Sequence, residues 1–153
     1  MATLLKPPQP LPSDKNLPIV FLAGSIDMGQ AEDWQALVAE KLAERAVILL
    51  NPRRDDWDSS WQQSIDNQPF RQQVDWELDG LDLADIILMY LGPQSKAPIS
   101  LLELGLHATS KKLIVCCAAE FWRRGNVEVV CHRFGIPLFE QLDDALKALC
   151  QQL

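Results

Sequence analysis

The chain has 153 residues, 48% of them apolar and 23% charged, and 21 acids against 14 bases leave a net charge of −7. That length suits one domain, which can bury about two thirds of its unfolded surface and needs no disulfide or metal staple. An acidic domain repels phosphate backbones, which argues against a nucleic-acid-coating role.

Residues 1–18 hold five of the ten prolines, at 7, 8, 10, 12 and 18. Proline fixes φ and lacks a backbone donor, so this stretch reads as an extended arm or loose tail outside the core. From Ile19 onward the pattern alternates, and residues 19–153 read as one α/β domain. Ile19-Val20-Phe21-Leu22-Ala23 is a short apolar run that stops at Gly24. Trp34, Leu37, Val38 and Leu42 then follow helical spacing. Ala46–Leu50 is a second strand, stopped by Asn51-Pro52, and residues 53–69 form a long polar loop with two tryptophans. Loops of that length inside compact domains are usually functional or disordered.

Phe70, Val74, Leu78 and Leu81 mark a second helix, and Ile86–Leu91 a third strand broken by Gly92-Pro93. A helix over about Ser100–Thr109 precedes the strand Leu113–Cys117. Val127, Val130 and Cys131 indicate a further helix ending near Gly135. Ile136–Phe139 holds a proline and suits an edge strand. Leu142, Ala145, Leu146 and Leu149 make the last amphipathic helix. Five strands alternating with five helices imply a doubly wound, three-layer α/β/α domain with a parallel sheet. The flavodoxin-like order 2-1-3-4-5 puts its switch point between strands 1 and 3, outside the carboxyl ends of the strands. The loops that begin at Gly24, Asn51 and Gly92 are therefore the ones to inspect.

The charge is uneven. Residues 51–103 hold 10 acids and 4 bases, whereas 1–50 carry −2 and 104–153 carry +1. Two acids in the middle stretch stand out. Ser100-Leu101-Leu102-Glu103 has the spacing of a capping box, in which Glu103 reaches back to the Ser100 amide. The same placement puts a carboxylate in the first turn of a helix, where the dipole favours its ionised form. An ionised, preoriented carboxylate is what glycosyl transfer asks of a nucleophile, and Gly105 would let a neighbour approach closely. Glu77 falls on the apolar face of its helix, so it must either pair, with Arg53 or Arg54, or line a cavity. Asp85 starts a strand at the opposite end of the sheet and reads as structural, and Tyr90 as core.

Gly24-Ser25-Ile26-Asp27 is not a G-x-G-x-x-G fingerprint, so no dinucleotide is indicated. Asp27 also opposes a phosphate at this turn. Asn51, Arg53, Trp57 and Asp58 follow the second strand, with Trp61 close behind. The two tryptophans either cover the edge of the core or form a lid that stacks on a planar ligand. Asn126 reads most simply as a helix cap. Four cysteines and two histidines make no metal pattern, and free thiols fit a reducing compartment. No signal peptide or 18-residue apolar run is visible, so the expectation is a soluble, cytoplasmic protein with no membrane partner.

Phe21–Ile26, Asn51-Pro52-Arg53-Arg54 with Trp57-Asp58, Trp76-Glu77 before Ala84-Asp85, Ser100–Gly105 and Gly125-Asn126-Val127 occur in that order. Together they resemble the nucleoside 2-deoxyribosyltransferase-like family over about residues 19–140. The resemblance implies cleavage of the N-glycosidic bond of nucleosides without a cofactor, the sugar then passing to another base. It makes Glu103 the nucleophile and Glu77 the residue that orients the sugar. Gly24, Ser25, Asp27, Asn51, Arg53, Trp57, Asp58 and Ser100 become substrate-binding candidates, and Asn126 one that reaches a neighbouring subunit's site. A homo-oligomer, at least a dimer, follows. One position departs: the type transferases carry an Asp six residues before the nucleophile, and here that residue is Ala97, so either a different acid, Asp27 or Asp58, serves to protonate the base or the acceptor chemistry differs. The rival readings are a nucleoside or nucleotide hydrolase on the same scaffold, and a non-catalytic module that senses nucleotides or sugars.

Overall fold

The computed structural model describes residues 1–26 and 32–153. Eleven elements follow in chain order: β1 (Thr3–Leu5), β2 (Ile19–Gly24), α1 (Trp34–Lys41), β3 (Ile48–Leu50), α2 (Gln68–Leu83), β4 (Ile86–Leu91), α3 (Pro98–His107), β5 (Leu113–Cys117), α4 (Arg124–Phe134), β6 (Leu138–Phe139) and α5 (Leu142–Cys150). The six strands form one sheet in the order β1-β3-β2-β4-β5-β6, and every pairing is parallel. Leaving β1 aside, the order is the expected 2-1-3-4-5.

Alternation along the strands builds two cores. Ile19, Phe21 and Ala23 of β2, with Ile87, Met89 and Leu91 of β4, pack against Trp76 and Leu81 of α2, Leu104 of α3 and Val127 of α4. The intervening Val20, Leu22 and Leu88 face Trp34 and Val38 of α1 and Leu146 and Leu149 of α5. Side chains two apart in a strand share a face, so one apolar run feeds both layers. Helices α2, α3 and α4 therefore lie on one side of the sheet and α1 and α5 on the other. No helix among the described residues is long and apolar enough to cross a membrane.

The arm contributes more than an extended tail. Thr3–Leu5 pairs with Ile48–Leu50 and adds a sixth strand at the edge. The prolines begin only after it, where a strand can stop without breaking a ladder. Beyond the strand, Gln9 O accepts a hydrogen bond from Trp76 Nε1 at 2.8 Å, and Lys6 pairs with Asp55 at 2.9 Å. The arm thus braces α2 and the segment that follows β3.

The expected boundaries shift in two places that matter. Pro98, not Ser100, opens α3, because proline suits the first turn of a helix, where no amide hydrogen is needed. Asn126 lies inside α4, whose cap is Arg123, so it is not the cap. Asp85 is structural, as expected: its carboxylate accepts the Ile19 N–H at 2.9 Å and pairs with Lys15 at 3.7 Å.

Gly24 closes β2 at a positive φ of 137°, and a Cβ there would fall 2.1 Å from Tyr90 O on the neighbouring strand. Neither the dihedral nor the space admits a side chain. Gly24→Ala should therefore lower stability by about 3 kcal/mol, or the Tm by roughly 6–12 °C for a domain of this size. Thermal unfolding followed by circular dichroism checks this, and a shift below about 2 °C would show that β2 and β4 can part at little cost.

Candidate active site

The switch point lies where β2 and β4, adjacent in the sheet, send their chains in opposite directions. Its wall is built by Ser25. The Ser25 hydroxyl accepts the Gly92 N–H at 3.0 Å and lies 3.3 Å from Tyr90 O, to which it donates. Its carbonyl takes the Trp34 Nε1–H at 3.1 Å, and Trp34 in turn packs on Tyr90 with ring centroids 5.4 Å apart. Ser25 is buried and its hydrogen-bonding capacity is largely used within the protein. Asp27, expected from the sequence to contribute from the same turn, lies outside the described residues.

Two carboxyl groups come together on the α2–α3 side. Glu103 sits in the second turn of α3 and is 7% exposed. The helix cap is Ala97, in the left-handed region at φ 44°, with no side-chain cap bond, so the capping box is not formed. Burial outweighs any help from the helix dipole: it pushes the Glu103 carboxyl up to about 8, and the nearby Glu77 carboxylate adds to the shift. Glu77 on α2 keeps part of its side chain at the surface, but its carboxyl is turned away from water. That desolvation pushes it up to about 7, opposed by a hydrogen bond from Gln73. Of the two alternatives for Glu77, the salt bridge to Arg53 or Arg54 is absent among the described residues. Arg53 is held by Asp33 at 3.4 Å and Gln35 at 3.3 Å, and Arg54 by Asp56 at 2.6 Å. Ser100, one turn before Glu103, is buried in the same helix.

The segment after β3 frames this pair. Asn51 is buried and its side-chain oxygen caps the Arg53 N–H at 3.0 Å. Trp57 and Trp61 pack edge to face at 5.0 Å, and the Arg54 guanidinium lies over Trp61 at 5.0 Å. Both indoles are half-buried, so they cover one another rather than stand open. Asp58 is exposed, and its carboxylate takes the Ser60 hydroxyl at 2.6 Å and the Ser60 amide at 2.8 Å. Those bonds hold its pKa below the usual carboxylate range, which makes it a poor proton donor.

Among the described residues, two hollows that adjoin these elements are not lined by Glu77 or Glu103. One, of about 620 Å³, lies between Arg54, Trp61 and the first two turns of α2. The other, of about 320 Å³, lies between α3 and α4, lined by Leu101, Leu104, Gly105, Asn126 and Val127. Asn126 is exposed there, and a Cβ on Gly105 would meet nothing within 4 Å. Asn126 therefore projects into solvent and not toward the Glu103 of its own chain's core. No group of three or more His, Cys, Asp or Glu that could hold a metal occurs among the described residues. Buried Cys116 and Cys131 are pushed up to about 12 and about 11 by desolvation, which makes them inert thiols.

Sequence reasoning passes over Gln73 and Gln35. Both are buried polar residues, and both touch the frame of the site: Gln73 reaches Pro52 and Glu77, and Gln35 reaches Arg53. A signal for Gln73 is present, since it stands one helical turn before Glu77 on the same face. Gln35 gives none, because a single glutamine beside Trp34 looks like surface.

The sequence profile of a family described as "nucleoside 2-deoxyribosyltransferase like" matches residues 18–121, more than half of the chain. No curated protein sequence matches. Among solved structures, a conserved protein from Enterococcus faecalis V583 is similar, with a TM-score of 0.63 at 12% identity over 90% of this chain and 99% of that one. At that identity the likeness speaks for the fold alone.

The desolvated carboxyls set a sign for pH dependence. Glu103 gives up its proton near 4.5 in the unfolded chain and near 8 in the fold. Between those values the fold binds more protons than the unfolded chain, so stability falls as pH rises through the window. Glu103→Gln removes that cost. Its Tm should exceed the wild-type value by roughly 3–8 °C at about pH 8.5, and by much less at about pH 5. Equal offsets at both pH values, read by scanning calorimetry, would contradict the burial of an unpaired acid.

Proposed function

Because the chain belongs to the nucleoside 2-deoxyribosyltransferase-like family, we propose that it cleaves the N-glycosidic bond of a (2-deoxy)nucleoside through a glycosyl ester on Glu103 and passes the sugar to another base. The observation that supports this best is the desolvated pair, Glu103 on α3 and Glu77 on α2, with no cation paired to either among the described residues. Carboxyls of this kind concentrate at functional sites, because an unpaired desolvated acid costs stability that structure alone does not repay.

The chemistry follows from charge. As the base leaves, positive charge develops at the anomeric carbon. Two carboxylates in poor solvent stabilise that charge far better than water does. Glu103 Oε attacks the anomeric carbon as the C–N bond breaks. The bond formed is a C–O ester, and the base departs with a proton. A second base, or water, then displaces Glu103, and two displacements retain configuration. Glu77 accepts a hydrogen bond from a sugar hydroxyl and fixes the ring against Glu103. The leaving base needs one proton. Ala97 supplies none and Asp58 holds none near neutral pH. The two desolvated carboxyls, which titrate near 7 and near 8, react in the form in which both are ionised, so the base takes its proton from water.

Substrate preference follows from the arginines. Arg53 and Arg54 are each paired with a carboxylate, which offsets the attraction either would have for a 5′-phosphate. This favours the unphosphorylated nucleoside. A non-catalytic, sensing role is the second reading, and the absence of an acid at Ala97 is what favours it. A panel of nucleosides and their 5′-monophosphates, each with and without a second base, separates the readings. Transferred base is the expected product, free sugar alone would indicate a hydrolase, and neither would indicate a binding module. Glu103→Ala should lower kcat/KM by at least about a thousandfold with the fold retained, and near-normal turnover would remove Glu103 from the reaction.

The working unit is at least a homodimer in this reading. Ile99, Leu102 and Leu106 form an exposed stripe on α3 at spacings of three and four, and Val129 and Phe134 expose apolar surface on α4. A second copy of the chain on this face would cover that surface and carry Asn126 towards a neighbour's site. Cytoplasmic placement completes the proposal. Leu102→Glu should yield monomers in sedimentation and lower the activity per chain at least about tenfold, whereas an active wild-type monomer under assay conditions would end this part of the reading.

A further inference from the structure

Gln73 stands one turn before Glu77 on α2 and is buried, with 6% of its surface exposed. Its Nε2 donates to Pro52 O at 2.9 Å and to Glu77 Oε1 at 3.3 Å. The amide can sit only one way round. Pro52 O is a carbonyl and only accepts, so it must face the NH₂ group. The other N–H then faces the Glu77 carboxyl. Turning the amide over would bring its oxygen against two acceptors at once. Its own oxygen, Gln73 Oε1, is buried with no partner among the described residues. The amide thus leaves one acceptor unpaired while both hydrogens are engaged. Buried side chains seldom do so unless the engaged bonds matter more.

We infer that Gln73 is a positioning residue: clamped on Pro52 O, its amide fixes the Glu77 carboxylate in place and ties it to the segment that follows β3. The inference rests on the role proposed for Glu77. It adds the group that keeps Glu77 oriented and in its ionised form.

The surroundings leave that task to Gln73. The acid near Glu77 is Glu103 from α3, which repels its negative form, and no salt bridge joins Glu77 to a cation among the described residues. Arg53 and Arg54, the arginines after β3, pair with Asp33 and Asp56 instead. Desolvation pushes Glu77 upward, and the Gln73 hydrogen bond is the one influence that draws it back. A hydrogen bond to the charged form of an acid favours that form. The clamp also joins two elements. Asn51, which precedes Pro52, donates its N–H to Leu5 O in β1 at 2.9 Å. A contact made on the β3 segment therefore reaches Glu77 through one amide.

The test removes the donor and keeps the shape. Gln73→Met fills nearly the same volume but cannot donate. With ¹³C-labelled glutamate, the Glu77 carboxyl can be followed by NMR as pH changes, its signal assigned by its loss in Glu77→Gln. The wild-type midpoint lies near 7, and Gln73→Met should raise it by about one pH unit, roughly a tenfold change in the protonation equilibrium. The pH profile of kcat/KM should move by the same amount, and in a Glu77→Gln background Gln73→Met should leave the profile where it is. Should Gln73→Met fail to fold, Gln73→Asn, which withdraws the amide by one methylene, reads the same displacement. An unchanged Glu77 midpoint in a folded variant overturns the inference. The NMR midpoint needs no turnover, so a displaced midpoint in a protein that processes no nucleoside would count against the proposed reaction and not against the Gln73 clamp.

Discussion

Two carboxyl groups are taken out of water here without a cation to pair them among the described residues. Glu103 and Glu77 come from helices on the same side of the sheet, and the layering that puts α2, α3 and α4 together makes them neighbours. The fold accepts a cost for this. A desolvated acid holds its proton to higher pH, and its charged form is disfavoured until something positive arrives. A sugar whose anomeric carbon becomes electron-poor is such a partner. The same property that weakens the resting fold at high pH thus gives the site its selectivity for developing positive charge.

The rest of the frame keeps that condition intact. Arginines occur close by in the sequence, yet Arg53 is anchored to Asp33 and Gln35, and Arg54 is stacked on Trp61 and tied to Asp56. Part of the excess of acids over bases in residues 51–103 is used in such pairs, as Asp56 is with Arg54. The tryptophan pair, expected as a core cover or an open lid, packs on itself and on Arg54. It stiffens the long segment between β3 and α2. On the other side of the pair, the β2–β4 contact at Gly24 and the Ser25 hydroxyl bonds fix where the strands end.

Much of the layering is legible in the sequence because it rests on local pattern. Runs such as Ile86–Leu91 and Leu113–Cys117 are β-rich and bounded by turn residues, and five of the six strands follow from such runs. Strand β1 is hidden by the prolines behind it, since three residues at a sheet edge carry little periodic signal. The start of α3 is obscured because Ser-x-x-Glu spacing suggests a cap at Ser100. Pro98 outcompetes it by supplying a helical φ two residues earlier. The spacing therefore puts Glu103 a turn too early, where a dipole would keep it ionised. Its protonation depends on tertiary burial, which no spacing encodes. Gln73 lies within reach of the i, i+4 rule, but Pro52 O, the partner that fixes its orientation, comes from a distant segment.

The most direct measurement is covalent. A 2-fluoro sugar nucleoside slows both displacements by drawing electrons from the anomeric carbon, and an activated leaving base restores the first, so the glycosyl ester accumulates. Intact-mass and peptide mass spectrometry after incubation should show one sugar on the peptide that contains Glu103, and none in Glu103→Ala. Turnover of the parent nucleoside with no adduct, or an adduct on a different carboxylate, would contradict the account.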